Sequence, residues 1–242
     1  MKRLFYDIET SPNIGFFWQP GYKLNIPFEN IIKERAIICI SYKWEGGKVE
    51  NLRWSKKQSD YGMIKKFIKI LEEADEAIAH NGDRFDITWI RGRAIKFGLS
   101  MSPNITTTDT LKLARNKFRF NSNRLDYLAQ YLGVGAKVST GGFGLWKAIV
   151  LHKDEKALDK MVKYCDNDVI ILEQVFNKLK PYVQAKVSVA DDRRHCPECG
   201  NDSMVIHHNR TLASGAKQTT MRCTNCGKFN SIPTSLLNKK IC

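Results

Sequence analysis

Apolar and polar residues alternate over residues 3–9. Leu4, Tyr6 and Ile8 fall on one face and Phe5, Asp7 and Glu9 on the other, a period-two pattern that predicts a strand. Residues 36–44 (AIICISYKW) are almost continuously apolar, as expected of a strand covered on both faces. Gly46-Gly47 then predicts a hairpin turn into a strand over residues 49–54. Across residues 60–76 the pattern changes to helical spacing, with Ile64, Phe67, Ile68 and Leu71 on one stripe. A short buried strand is expected over 77–80, a helix over about 85–97 closed by Gly98, and a β-branched strand over 105–108. Asp109 stands where it would cap the next helix. Residues 122–132 read as an amphipathic helix ended by Gly133, residues 141–144 (GGFG) as a loop, and 154–179 as a long helix stopping before Pro181. Strands first, then strands alternating with helices, predict an α/β fold: a mixed β-sheet flanked by helices.

The chain has 242 residues, enough for one large domain and a small appendage. Hydrophobic residues are 43% and charged residues 26%, which excludes a disordered or fibrous chain. No apolar run reaches the roughly 18 residues of a membrane span. Asp7 interrupts the stretch a secretory signal would need, so a cytoplasmic protein is expected, and no membrane partner. The net charge is +14, with +9 before residue 186 and +5 from there on. An excess of this kind attracts nucleic acid through its phosphates, though solubility alone also accounts for such a balance.

Four of the seven cysteines form two knuckles, Cys196-Pro-Glu-Cys199-Gly and Cys223-Thr-Asn-Cys226-Gly. Each tight turn presents two thiolates, and a tetrahedral zinc takes four. The intervening residues suit the hairpin of a zinc ribbon over residues 195–242, joined by a polar linker (186–194) to a first domain over 1–185. Of the competing readings, disulfides do not suit a chain without an export signal, and a redox site would not need two matched knuckles. His195, His207 and His208 read as surface residues, Cys39 and Cys165 as small core residues, and terminal Cys242 carries no reading.

Three acidic pieces stand apart. Asp7 and Glu9 share one face of the first strand, where paired carboxylates repel unless a cation such as Mg²⁺ or Mn²⁺ neutralises them. Residues 80–86 (HNGDRFD) place Asp86 in the first turn of a helix, where complementing the helix dipole would also explain it. Tyr164 and Asp168 lie four apart on a helix whose buried face carries Leu158, Met161, Cys165, Val169, Leu172 and Phe176. Asp83, Asp109 and Asp166 read as caps or surface charge.

Together, and in this order, these pieces resemble the DEDD superfamily of 3′–5′ exonucleases, of DnaQ-like, ribonuclease H-like fold. Asp7-Ile8-Glu9-Thr10 resembles the first motif of that family, Asn81 to Asp86 the second, and Tyr164-x-x-x-Asp168 the third in its tyrosine form. The histidine form would place His where Lys163 stands. The resemblance is thus to the DEDDy branch, as in the proofreading domains of family B DNA polymerases, and most of all to stand-alone bacterial and phage exonucleases. The stretches DIETSPN (7–13), DTLKLAR (109–115) and LDYLAQYLGVGAK (125–137) support it, and it covers about residues 1–180.

The resemblance implies that Asp7, Glu9, Asp86 and Asp168 hold two Mg²⁺ or Mn²⁺ ions at the scissile phosphate of DNA; the alternatives are an exoribonuclease or structure-specific nuclease of the same fold, or a non-catalytic nucleic-acid-binding module. Tyr164 would orient the attacking water, since a phenol titrating near about 10 suits positioning better than proton removal. The product would be a 5′-mononucleotide, with Glu9 helping to select the 3′ end. Thr10, Asn81 and Phe85 are candidate substrate contacts. Phe16, Phe17 and Trp18 could stack on terminal bases or pack in the core. Lys137 and Lys147 flank the GGFG loop, itself a candidate DNA contact without the lysine pattern of a nucleotide phosphate loop. Arg210, Lys217, Arg222 and Lys228 suit the ribbon to gripping nucleic acid; docking of replication or repair proteins is its alternative role. The expected setting is a bacterial cell or a phage-infected host.

Overall fold

The first strand pairs on both sides and organises the sheet. In the computed structural model, which describes residues 1–19, 21, 25–136 and 141–237, β1 (Arg3–Thr10) lies between β4 (Ile37–Trp44) and β6 (Glu76–Ala79). Lys137 and Cys242, singled out above, lie outside the described residues. With β5 (Glu50–Arg53) and β7 (Thr107–Asp109) the sheet runs β5-β4-β1-β6-β7. The β1–β4 and β4–β5 pairings are antiparallel, while β1–β6 and β6–β7 are parallel. This is the mixed sheet the sequence predicts.

Alternation along β1 sends two sets of side chains into two cores. Leu4, Tyr6 and Ile8 pack with Ile64, Phe67 and Leu71 of α1 (Tyr61–Glu72) and Ile90 of α2 (Asp86–Lys96). Across the sheet, Ile38 and Cys39 pack with Ile149 of α5 (Gly144–His152) and Leu158, Met161 and Cys165 of α6 (Glu155–Leu179). Between these helix pairs in sequence come α3 (Thr110–Lys117) and α4 (Leu125–Tyr131).

Several boundaries differ from expectation. The helix expected to reach residue 76 stops at Glu72, because buried Glu76 belongs to β6, accepting from Arg3 Nε at 2.8 Å and Thr108 Oγ1 at 2.6 Å. Gly144, read as loop, is the first residue of α5, a helix the pattern does not announce. A small antiparallel pair, β2 (Ile14–Gly15) with β3 (Ile31–Lys33), also goes unannounced.

One buried ion pair ties α1, α2 and β4 together. The Asp60 carboxylate, fully buried, accepts from Arg93 Nε at 2.7 Å and Nη2 at 2.6 Å, and from the Ile37 amide at 3.0 Å. Asp60→Ala would leave the buried guanidinium uncompensated. It is expected to cost about 3–5 kcal/mol of stability, read by denaturant unfolding.

The chain divides into two compact units. The sheet and its helices lie in Lys2–Lys112 with Phe120–Val175, and the second unit holds Met1, Leu113–Arg119 and Phe176–Cys242. In the second unit β8 (Met204–Thr211), β9 (Lys217–Cys223) and β10 (Phe229–Pro233) form an antiparallel sheet of order β10-β9-β8. Lys228 Nζ donates to the Lys180 carbonyl at 2.6 Å, and Lys180 pairs with Glu198 at 2.6 Å. Lys228 is buried, so it is withdrawn from the cationic surface expected of it. Among the described residues no helix is long and apolar enough to cross a membrane.

Candidate active centre and cysteine cluster

Pairing on β1 fixes where its carboxylates point. Asp7 and Glu9 lie opposite Ser41 and Cys39 of β4, half-buried on the face covered by α6. A register shift between Glu9 and Thr10 ends the regular ladder there. On the other edge β6 pairs only with Arg3, Leu4 and Phe5, so β1 runs on past it. Asp86 reaches that edge: its Oδ1 accepts the Ile8 amide at 3.1 Å.

The turn from β6 to α2 places Asp86 there. Asn81 adopts φ +68°, its amide donates to Asp109 Oδ1 at 2.9 Å, and its carbonyl accepts from the Phe85 amide at 3.0 Å. A Cβ on Gly82 would lie 2.4 Å from that of Ala79, so this turn requires glycine. Asn81 therefore shapes the turn. Asp109 caps α3 as expected, accepting the Leu111 amide at 2.9 Å.

Electrostatics single out Asp86. Burial, then the charge of Asp7, then that of Glu9 hold its carboxyl well above the ordinary carboxylate range. Its bond to the Ile8 amide sets it next to the two residues that flank Ile8, Asp7 and Glu9. From α6, the Cys165 thiol donates to the carbonyl and to Oδ2 of Asp7, both at 3.4 Å. Burial, Cys39, Asp7 and Glu9 push this thiol well up, so it stays protonated and can donate. Cys165 is in the core as expected, but its contact with Asp7 is new. Half-buried Tyr164 precedes it, and buried Asp168 follows one turn after Tyr164. Asp166 is half-buried: it accepts from buried Ser41 Oγ at 2.6 Å and, at the surface, from Asn51 Nδ2 at 3.2 Å. Asp83 pairs at the surface with Lys112 at 2.7 Å. Crowded carboxylates on apolar walls are a donor set suited to hard divalent cations.

Thr10 is held by its neighbours. Arg35 Nη2 donates to its Oγ1 at 3.0 Å and Trp146 Nε1 to its carbonyl at 3.0 Å. Phe85 is partly buried against the core, edge-on to Trp89 at 6.4 Å. Phe16 and Trp18 are exposed rather than core residues. Phe17, also exposed, lines a cavity of about 550 Å³ with Phe143, Trp146 and Lys147.

The cysteine knuckles converge in the second unit. Every sulfur of Cys196, Cys199, Cys223 and Cys226 lies within 4.8 Å of the others, a tightness that, among the described residues, the carboxylates do not reach. Sγ separations are 3.5 Å for Cys196–Cys226, 3.7 Å for Cys199–Cys223 and 3.5 Å for Cys199–Cys226. A tetrahedral ion with bonds of about 2.3 Å places its sulfurs about 3.8 Å apart, so the spacing fits. Burial opposes ionisation of Cys223, but the Cys226 and Asn225 amides and the Asn201 side chain outweigh it and bring the thiol down to about 6. Burial and neighbouring sulfurs push Cys226 up to about 12. Four thiolates there require a cation, and the cluster is compatible with a zinc ribbon.

Comparison with known proteins agrees with this architecture. A DNA polymerase of Pyrococcus glycovorans is 33% identical over 112 residues, 42% of this chain and 12% of the polymerase. The chain therefore corresponds to a small part of that relative. The structure of the family B DNA polymerase from the hyperthermophilic archaeon Pyrobaculum calidifontis superposes with a TM-score of 0.57 at 17% identity. It covers 74% of this chain and 24% of the polymerase, and at that identity the likeness concerns the fold. Residues 31–180, which include Asp86, Tyr164 and Asp168 but begin after β1, match the RNase H superfamily. With the mixed sheet order and that match over most of its length, the chain belongs to the RNase H superfamily.

Proposed function

We propose that the chain is a metal-dependent 3′–5′ exonuclease that releases 5′-mononucleotides from the 3′ end of single-stranded or frayed DNA. One observation carries the reading: buried Asp86 accepts the amide of Ile8, the residue between Asp7 and Glu9, and the helix bearing Tyr164 and Asp168 is joined to Asp7 through Cys165. Asp7, Glu9, Asp86 and Asp168 would hold two Mg²⁺ or Mn²⁺ ions. Bound there, such ions neutralise phosphate charge and make hydroxide available near neutral pH. Asp86 is oriented by the Ile8 amide, and Asp7 by the Cys165 thiol. Tyr164 orients the water, and Glu9 reads the terminal 3′ hydroxyl. In this reading residues 1–185 are the nuclease domain, 186–194 the linker, and 195–242 a zinc ribbon that grips nucleic acid.

The test is an assay on 5′-labelled single-stranded DNA and RNA of one sequence, with Mg²⁺, with Mn²⁺, and with Asp7→Ala beside the wild type. A ladder of single-nucleotide steps on DNA, absent in the variant, is expected. A ladder confined to RNA changes the substrate and keeps the chemistry. Binding without cleavage under either metal sinks the enzyme reading.

A further inference from the structure

A groove of about 540 Å³ opens along α2, the helix whose first residue is Asp86. Its walls include Phe28, Arg35 and Trp89, and Gly92 and Lys96 continue it along the helix. Two features make it more than a dent. The Arg35 guanidinium lies 4.7 Å over the Trp89 ring, giving a flat cationic and aromatic wall. Phe28, on a short 3-10 turn, is 80% exposed, an aromatic ring held in water. Two contacts link the groove's wall to residues next to the candidate carboxylates. Arg35 donates to Thr10, which follows Glu9, and Trp89 meets Phe85, which precedes Asp86. Gly92 has nothing within 4 Å of where a Cβ would stand, so the middle of the helix face is open.

Flat rings beside cations match a ligand with alternating planar bases and phosphates. Exposed Lys96 lies ten residues along α2 from Asp86, about 15 Å at the helical rise. Glu34 is the acidic residue of the lining, against Arg35 and Lys96. We infer that this groove holds the single strand leading away from the candidate centre, with bases on Phe28 and the Arg35–Trp89 stack and a phosphate at Lys96. The inference rests on the nuclease reading for its direction, but its binding is measured apart from cleavage.

The experiment uses the full chain carrying Asp7→Ala, so that nothing is cut, and the anisotropy of a fluorescent single-stranded DNA. Gly92→Gln fills the groove while replacing a helix-interior glycine by a better helix former, so folding is preserved and a melting curve verifies it. Gly92→Gln and Phe28→Ala are each expected to weaken binding roughly tenfold. Lys96→Gln should reduce the slope of log affinity against log salt by about 0.7, the value for one phosphate contact on a single strand. Unchanged affinity and slope in all three variants overturn the groove. So does equal competition by polyglutamate, which would mark a site for acidic peptide. Groove-dependent binding by a wild-type chain that cuts nothing in Mg²⁺ sinks the nuclease reading and leaves the groove. Cleavage with unaltered binding in the variants does the reverse.

Discussion

Asp86→Asn is expected to abolish hydrolysis and, in protein free of divalent ions at the centre, to raise the melting temperature. The loss of rate should be on the order of a thousandfold or more, as when one member of a cooperating catalytic group is removed. The gain in stability has a separate cause. Asp86 is buried and faces the charges of Asp7 and Glu9, so its folded-state pKa lies well above its unfolded value. The folded chain then holds a proton that the unfolded chain releases, and stability falls as pH rises from about 4, the ordinary carboxylate value, toward the folded-state pKa. Asparagine carries no such penalty, and its carbonyl oxygen can still accept the Ile8 amide. Calorimetry from pH 4 to 8 should show a flatter curve for the variant, with about 2–4 °C of melting temperature for each kcal/mol recovered. Added Mg²⁺ should raise the wild-type melting temperature more than the variant's, since an ion that binds only the folded state stabilises it by mass action. A variant that melts lower than wild type at neutral pH would show that Asp86 is an ordinary structural carboxylate.

Stripping the ion from the cysteine cluster is expected to unfold the ribbon. Structural zinc supplies about 10–16 kcal/mol of apparent binding free energy in small domains of this type, far more than three short strands gain from their own apolar contacts. β8 is exposed along nearly its whole length, and among the described residues the buried ribbon positions are few: Cys196, Thr219, Met221, Cys223, Lys228 and Ile232. Elemental analysis should give one zinc per chain. Cys223→Ser should lose that zinc and open residues 195–237 to proteolysis. Zinc content unaffected by Cys223→Ser, or a ribbon resistant to protease without metal, would refute the assignment.

The sequence is most legible where the physics is local. The alternation of β1 and the apolar run of β4 are set by burial alone, and the knuckle spacing reports the sulfur cluster directly. It is less legible where a residue's partner lies far along the chain. Glu76 leaves the helical pattern because Arg3 and Thr108 claim its carboxylate. The bond from Ser41 to Asp166 exists only once α6 lies over β4. Lys228 looks like a free cation until its ammonium finds the Lys180 carbonyl. At the candidate centre the acidic residues follow from motif order, whereas Arg35 and Trp89 sit in no motif, and their stack arises only from the folded backbone.

Asp86 fills a backbone position on β1 that a neighbouring strand would otherwise occupy. The six residues from His80 to Phe85 therefore act as a ruler between the end of β6 and that amide. Adding or removing one residue there is expected to displace the start of α2 and carry the carboxylate off the Ile8 amide. The length of this turn, and not only its residues, therefore sets where the carboxylate stands.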